Sequence, residues 1–181
     1  MAQGRIACLL GPGFEDSEFR VPYDALKNAG NQVDIISTKA GVELKCYKGK
    51  ETVKADKGID EVRPEDYQAL LIPGGHSPDQ LRKDKKIVEF VKKFDALKRP
   101  LAAVCHGPQL LLTARLVRGR TLTAWETVQG DLEQAGANVK DQEVVIDQNW
   151  ITSRKPEDLK AFSEALLNAL RNAGKRSEAR A

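Results

Sequence analysis

Cys105 stands between an apolar run and a helix-forming run, LAAV-C-HGP-QLLLTA over residues 101–114, and His106 follows it at once. Leu101 to Val104 read as a buried strand and Gln109 to Ala114 as a helix. A strand that turns into a helix within a few residues sets the residue at the turn on a sharp elbow. Its side chain then projects from the C-terminal edge of a sheet, where open α/β folds hold their active sites. The N–H groups and partial positive charge of the helix N-terminus favour thiolate there, and thiolate is the nucleophile. A lone cysteine is more often a buried structural residue; the elbow and the adjacent histidine set this one apart. Cys105 is therefore read as a nucleophile and His106 as its candidate base, with a loose contact because neighbouring side chains diverge.

Two further stretches are expected at the same edge. Gly13-Phe14-Glu15-Asp16-Ser17-Glu18 follows the first apolar run, and Pro73-Gly74-Gly75-His76-Ser77-Pro78-Asp79 follows ALLI. A carboxylate that leans over the sulfur can hydrogen-bond it and act as general acid or base. Glu15 and Glu18 fit that role, and they equally fit favourable charges in a first helical turn that Asp16 or Ser17 caps. The Gly75 and His106 N–H groups can together bind an oxyanion, or Gly74-Gly75 is a tight turn with no role. His76 is a site or a surface residue. Asp79 orients a histidine or merely opens the next helix.

The elements that must position these groups alternate along the chain. Arg5 to Leu10 and Gln32 to Ser37 read as strands around a helix over 14–28, a β–α–β unit that implies a parallel sheet. Residues 41–55 alternate apolar and polar around Lys48-Gly49-Lys50, the pattern of a hairpin. Ile59 to Tyr67 contains a helix start at Arg63-Pro64. Ala69 to Ile72 is a buried strand and Lys85 to Leu97 an amphipathic helix. Further on come Thr121 to Thr123, a helix over 126–135, and a hairpin of Glu143 to Ile146 with Trp150 to Thr152. A last helix opens at 153–158 and runs to about Arg171. This is one α/β domain over 1–172, a three-layer α/β/α sandwich, with a frayed tail at 173–181.

Composition narrows the function classes. The chain has 181 residues, 30% charged and 41% apolar, enough for a substantial core. A net charge of +3, scattered along the chain, does not imply nucleic-acid binding. Arg82-Lys83-Asp84-Lys85-Lys86 reads as a solvated face. MAQGRIACLLGPG is no signal peptide, and no apolar run approaches a membrane span. Cys8, Cys46 and Cys105, odd in number and widely spaced, fit neither a disulfide framework nor a metal site. A cytoplasmic protein with free thiols is expected.

FEDSE near the N-terminus, LIPGGHSPD, AAVCHGPQLL and DQNWITSRKPEDL together resemble the PfpI/ThiJ superfamily, close to its intracellular protease I-like branch, to about residue 170. The resemblance implies a flavodoxin-like fold, akin to class I glutamine amidotransferases, with Cys105 as nucleophile. It implies Glu18 as the acid bonded to the sulfur, Glu15 close by, and oxyanion N–H groups from Gly75 and His106. A carboxylate after the PGG turn pairs with the histidine across a subunit interface in that branch; Asp79 stands there, shorter than the usual glutamate. Trp125 stands where an aromatic of a neighbouring subunit often lines the pocket. Homodimers assembling to hexamers are implied. Three activities follow: a cofactor-free, metal-free glyoxalase or deglycase, a cysteine peptidase using Cys105, His106 and Asp79, or a redox sensor or chaperone with an oxidisable Cys105. The first, acting on a small carbonyl compound or glycated protein, suits a thiol beside an acid in a small polar pocket best.

Overall fold

The computed structural model describes residues 4–180. In chain order the elements are β1 (Arg5–Leu9), α1 (Asp16–Asn28), β2 (Gln32–Ser37), β3 (Glu43–Lys45), β4 (Thr52–Lys54) and β5 (Lys57–Gly58). Then come β6 (Ala69–Ile72), α2 (Ser77–Leu81), α3 (Lys85–Ala96), β7 (Leu101–Val104), α4 (Pro108–Thr113) and β8 (Thr121–Leu122). The chain ends with α5 (Glu126–Gln134), β9 (Asn138–Val139), β10 (Val145–Asp147), β11 (Trp150–Ser153) and α6 (Leu159–Arg180).

Seven strands form the main sheet in the order β10-β11-β7-β6-β1-β2-β5, parallel except for the β10–β11 hairpin. Its central strands are continuous apolar runs because both faces are covered. Side-chain alternation splits them between two cores. Ala7, Leu9, Leu70, Ile72, Leu101 and Ala103 pack under α3, α4 and α5. Ile6, Cys8, Ala69, Leu71, Ala102 and Val104 pack under α1 and α6. The three-layer α/β/α sandwich is thus the observed architecture. All three cysteines are free and buried: Cys8 in β1, Cys46 after β3, and Cys105 after β7.

The hairpin expected at 41–55 forms as the two-stranded β3–β4 sheet, apart from the main one. Other expectations need correction. The last helix does not stop near Arg171: α6 runs to Arg180, and residue 181 of the expected tail lies outside the described residues. Gly174 weakens that segment by about 1 kcal/mol, but good helix formers (Ala173, Lys175, Arg176, Glu178, Ala179) surround it. The helix start at Arg63-Pro64 yields only the 3-10 turns Ile59–Glu61 and Pro64–Asp66, too short to propagate. Ser153 closes β11, and a 3-10 turn at Pro156–Asp158 precedes α6.

Candidate active site

β7 delivers Cys105 to the elbow in left-handed backbone, φ 61°, which a non-glycine residue adopts at a cost of about 1–3 kcal/mol. Two long-range hydrogen bonds hold it there. The Cys105 N–H donates to the Ser153 carbonyl at 3.0 Å, and the Cys105 carbonyl accepts from the Trp125 N–H at 2.9 Å. Gly107 follows because α4 turns tightly under the strands: a Cβ there would lie 2.5 Å from the Ile72 carbonyl oxygen.

α1 leans across the elbow and brings Glu18 to the sulfur. Glu18 is 1% exposed; its Oε1 accepts the Gly74 N–H at 3.1 Å, and its carboxyl faces Cys105 across Gly74. Gly74 is glycine for space, since a Cβ would lie 2.9 Å from the Val104 carbonyl oxygen and clash with Glu18. Burial pushes the Glu18 carboxyl up to about 8, with the negative Glu15 adding to it. Glu18 therefore carries a proton at neutral pH and can donate to sulfur.

Burial also pushes the Cys105 thiol up, and Glu18, where charged, pushes it further; the His106 N–H pulls the other way. Burial of this 7% exposed side chain thus works against the ready thiolate expected at the N-terminus of the six-residue α4. A proton acceptor must complete the nucleophile. His106 stands closest, its Nδ1 3.4 Å from Sγ. Burial and the nearby His76 hold His106 below its ordinary value, so its ring is neutral at neutral pH.

Glu15 occupies the cap position of α1 without a side-chain cap bond, and neither Asp16 nor Ser17 caps that helix. Burial and Asp16 raise the Glu15 carboxyl, which accepts from Ser17 Oγ at 3.2 Å; Asp16 is correspondingly lowered. The PGG turn is locked to the first loop by Glu15 N–H to Gly74 carbonyl at 3.3 Å and His76 N–H to Gly13 carbonyl at 2.8 Å. This leaves the Gly75 N–H, at φ 74°, without an acceptor among the described residues. Glu15, Glu18 and His106 thus act on Cys105, with Gly74 of the same turn against its Cβ.

Two further site residues have partners within the chain. Asp79 lies in the first turn of α2, half exposed, and pairs with Arg82 at 2.5 Å; it reaches His106 only as a field, with no hydrogen bond between them. A Cys105–His106–Asp79 triad is therefore not assembled within the chain. Trp125 of the same chain stacks on His106, with centroids 6.3 Å apart and planes at 26°, in the place assigned to a neighbouring subunit's aromatic. Sequence reasoning missed Tyr47, whose ring packs against His76 with centroids 4.9 Å apart and planes tilted by 31°. The β3–β4 hairpin carries it in, pinned by Gly13 N–H to Lys45 carbonyl at 2.8 Å and Tyr47 N–H to Phe14 carbonyl at 2.7 Å. Among the described residues no three His, Cys, Asp or Glu side chains are grouped to hold a metal, and no helix is long and apolar enough to cross a membrane.

Residues 4–169 match the sequence model of the DJ-1/PfpI family. The chain belongs to the DJ-1/PfpI family. A DJ-1/PfpI relative in Escherichia coli, "Protein/nucleic acid deglycase 2", is 48% identical over 92% of this chain and 97% of its own length. "General stress protein 18" of Bacillus subtilis is 45% identical over 92% of this chain and 97% of its own. YraA of the same organism, whose name gives it provisionally as a cysteine protease, is 46% identical over 92% and 98%. Among solved structures, a two-domain protein of Anabaena variabilis containing a DJ-1/ThiJ/PfpI-like domain superposes with TM-score 0.90 at 36% identity. It covers 92% of this chain, which spans 48% of that longer one. Drosophila melanogaster DJ-1beta gives 0.84 at 23% identity over 96% of this chain and 97% of its own, a likeness of fold.

Proposed function

We propose that the protein is a cofactor-free, cysteine-dependent glyoxalase or deglycase acting on methylglyoxal or its adducts. One arrangement supports this reading: Glu18, which burial pushes up, and His106, with Nδ1 3.4 Å from Sγ, both act on the Cys105 thiol. The deglycase name of the E. coli relative supports it.

The chemistry runs as follows. His106 Nδ1 takes the thiol proton as Sγ attacks the aldehyde carbon, and the carbonyl π pair moves to oxygen. Gly75 and His106 N–H groups stabilise that oxyanion, which the imidazolium then protonates to a hemithioacetal. A proton leaves C1 and one arrives at C2, while the hydroxyl proton leaves O1 and one arrives at O2; carried by His106 and Glu18, these transfers turn the hemithioacetal into a lactoyl thioester. Water cleaves the thioester, releasing lactate and restoring the thiol. Methylglyoxal plus one water gives lactate, with no external oxidant or reductant. A peptidase is less well supported, because Asp79 pairs with Arg82 and leaves His106 without a carboxylate partner in the chain. In the same reading the protein works in the cytoplasm as a homo-oligomer.

The test is lactate release from methylglyoxal without glutathione, comparing wild type with Cys105→Ala. Lactate from wild type alone is expected; none from either sinks the reading.

A further inference from the structure

Two segments far apart in the chain hold Cys105 in its left-handed backbone. Ser153, at the end of β11, accepts its N–H, and Trp125, just ahead of α5, donates to its carbonyl. One buried bond joins these segments directly, from the Thr123 N–H to Thr152 Oγ1 at 3.0 Å. A second link runs through side chains, and Arg154 is at its centre.

Arg154 Nε and Nη2 grip both carboxylate oxygens of Asp158, at 3.0 and 3.1 Å, while its backbone N–H donates to Asp158 Oδ2 at 3.0 Å. Asp158 is 3% exposed, so the fork has a fixed seat just ahead of α6. The remaining nitrogen, Nη1, reaches Asp141 Oδ1 at 3.2 Å. That oxygen also accepts from Gln129 Nε2 at 3.3 Å, and Gln129 Nε2 donates again to the Ala124 carbonyl at 3.0 Å. The Gln129 N–H closes on the Trp125 carbonyl at 3.1 Å. A polar path that leaves Cys105 through Ser153 thus returns to it through Trp125. Asp141 is 72% exposed, and so exposed a pair contributes little to stability. A strained non-glycine φ, however, persists only where its surroundings over-determine it. Arginine suits the junction because its planar fork holds two carboxylates at once, whereas a lysine ammonium is a point charge.

We infer that Arg154 is a positioning residue for the nucleophile: with Asp141 and Gln129 it locks together the two segments that clamp the Cys105 backbone. Through Trp125 the same lock steadies the ring stacked on His106. This rests on the proposed reading only in taking Cys105 as the nucleophile, whichever carbonyl compound is attacked.

The experiment compares full-length wild type, Asp141→Ala, Asp141→Asn, Arg154→Lys and the Arg154→Lys/Asp141→Ala double variant. Iodoacetamide alkylation of Cys105 is followed by mass-resolved peptides with Cys46 as internal reference, alongside urea unfolding and lactate kinetics. Asp141→Ala should leave the urea midpoint and Cys46 unchanged, yet speed Cys105 alkylation about two- to fivefold as the elbow loosens. Its kcat should fall by a similar factor with KM nearly constant, as expected of a displaced nucleophile rather than lost binding. Asp141→Asn, whose amide oxygen still accepts both bonds, should restore wild-type values. Arg154→Lys should act more strongly, and adding Asp141→Ala to it should change nothing further, because both cut one link. Cys105 alkylation in Asp141→Ala no faster than in wild type overturns the inference. So does faster Cys46 alkylation in step with a lower urea midpoint, and so do additive effects of the two substitutions. Absence of lactate from wild type would remove the glyoxalase reading and leave the alkylation comparison intact.

Discussion

Replacing Glu18 by glutamine should stabilise the protein, increasingly so as pH rises. The Glu18 carboxyl ionises at about 8 in the folded protein against 4.5 for the ordinary group. Between those values the unfolded chain has released this proton and the folded chain keeps it. The native state then binds more protons than the unfolded one, so stability falls as pH rises. The penalty is about 1 kcal/mol at pH 5, about 3 kcal/mol at pH 7 and about 4 kcal/mol at pH 8. Glutamine does not titrate. Its amide oxygen can still accept the Gly74 N–H, and its NH2 can face the sulfur as the acid proton does. Urea unfolding of wild type and Glu18→Gln at pH 5, 6, 7 and 8 measures the gap, and other titrating groups cancel in the difference. The variant's advantage should grow by about 3 kcal/mol from pH 5 to pH 8. A gap constant to within about 0.5 kcal/mol, or one that closes, would mean Glu18 is ionised throughout and would refute a protonated acid beside the thiol.

Lactate production should follow a bell in pH, falling near 8 as Glu18 ionises and rising below 6.5 as His106 loses its proton; Glu18→Gln should lack the falling limb. Trp125→Ala should slow turnover about two- to tenfold through the lost stack and move the rising limb upward as His106 regains water, while Trp125→Phe should keep most of both. Gly74→Ala should cost about 1–3 kcal/mol by denaturant titration and displace Glu18, cutting activity more than stability alone explains. Cys105→Gly should be more stable than Cys105→Ala by about 1 kcal/mol, because glycine relieves the 61° φ.

The elbow was legible because it is local: an apolar strand, three turn residues and a helix lie within fourteen positions. So was the sheet, since each buried strand is a short apolar run ended by a Gly or Pro signal. What failed depends on distance in sequence or on water. Protonation of Glu18 follows from burial that it acquires only by folding against Gly74 of the PGG turn. The engagement of Asp79 with Arg82 competes at three residues' remove, which spacing allows but does not decide. The stack of Trp125 on His106 joins residues that no local period connects. Tyr47 was hidden for the same reason, although YKGK, an aromatic among lysines, was there to be noticed. α6 outran its expected end because Gly174 is a weak stop when its neighbours all favour helix.

The three free thiols lie at graded depths, and this makes the chain its own probe of breathing motions. Cys105 sits 7% exposed at the elbow, Cys46 4% exposed in the turn of the hairpin, and Cys8 fully enclosed in the inner strand β1. Alkylation at Cys105 needs only a fluctuation of the mouth. At Cys46 it needs the hairpin to lift off, and at Cys8 it needs the sheet itself to open. Mass-resolved labelling of one sample over time thus ranks three opening events by free energy in a single experiment, with the sulfur atoms as clocks.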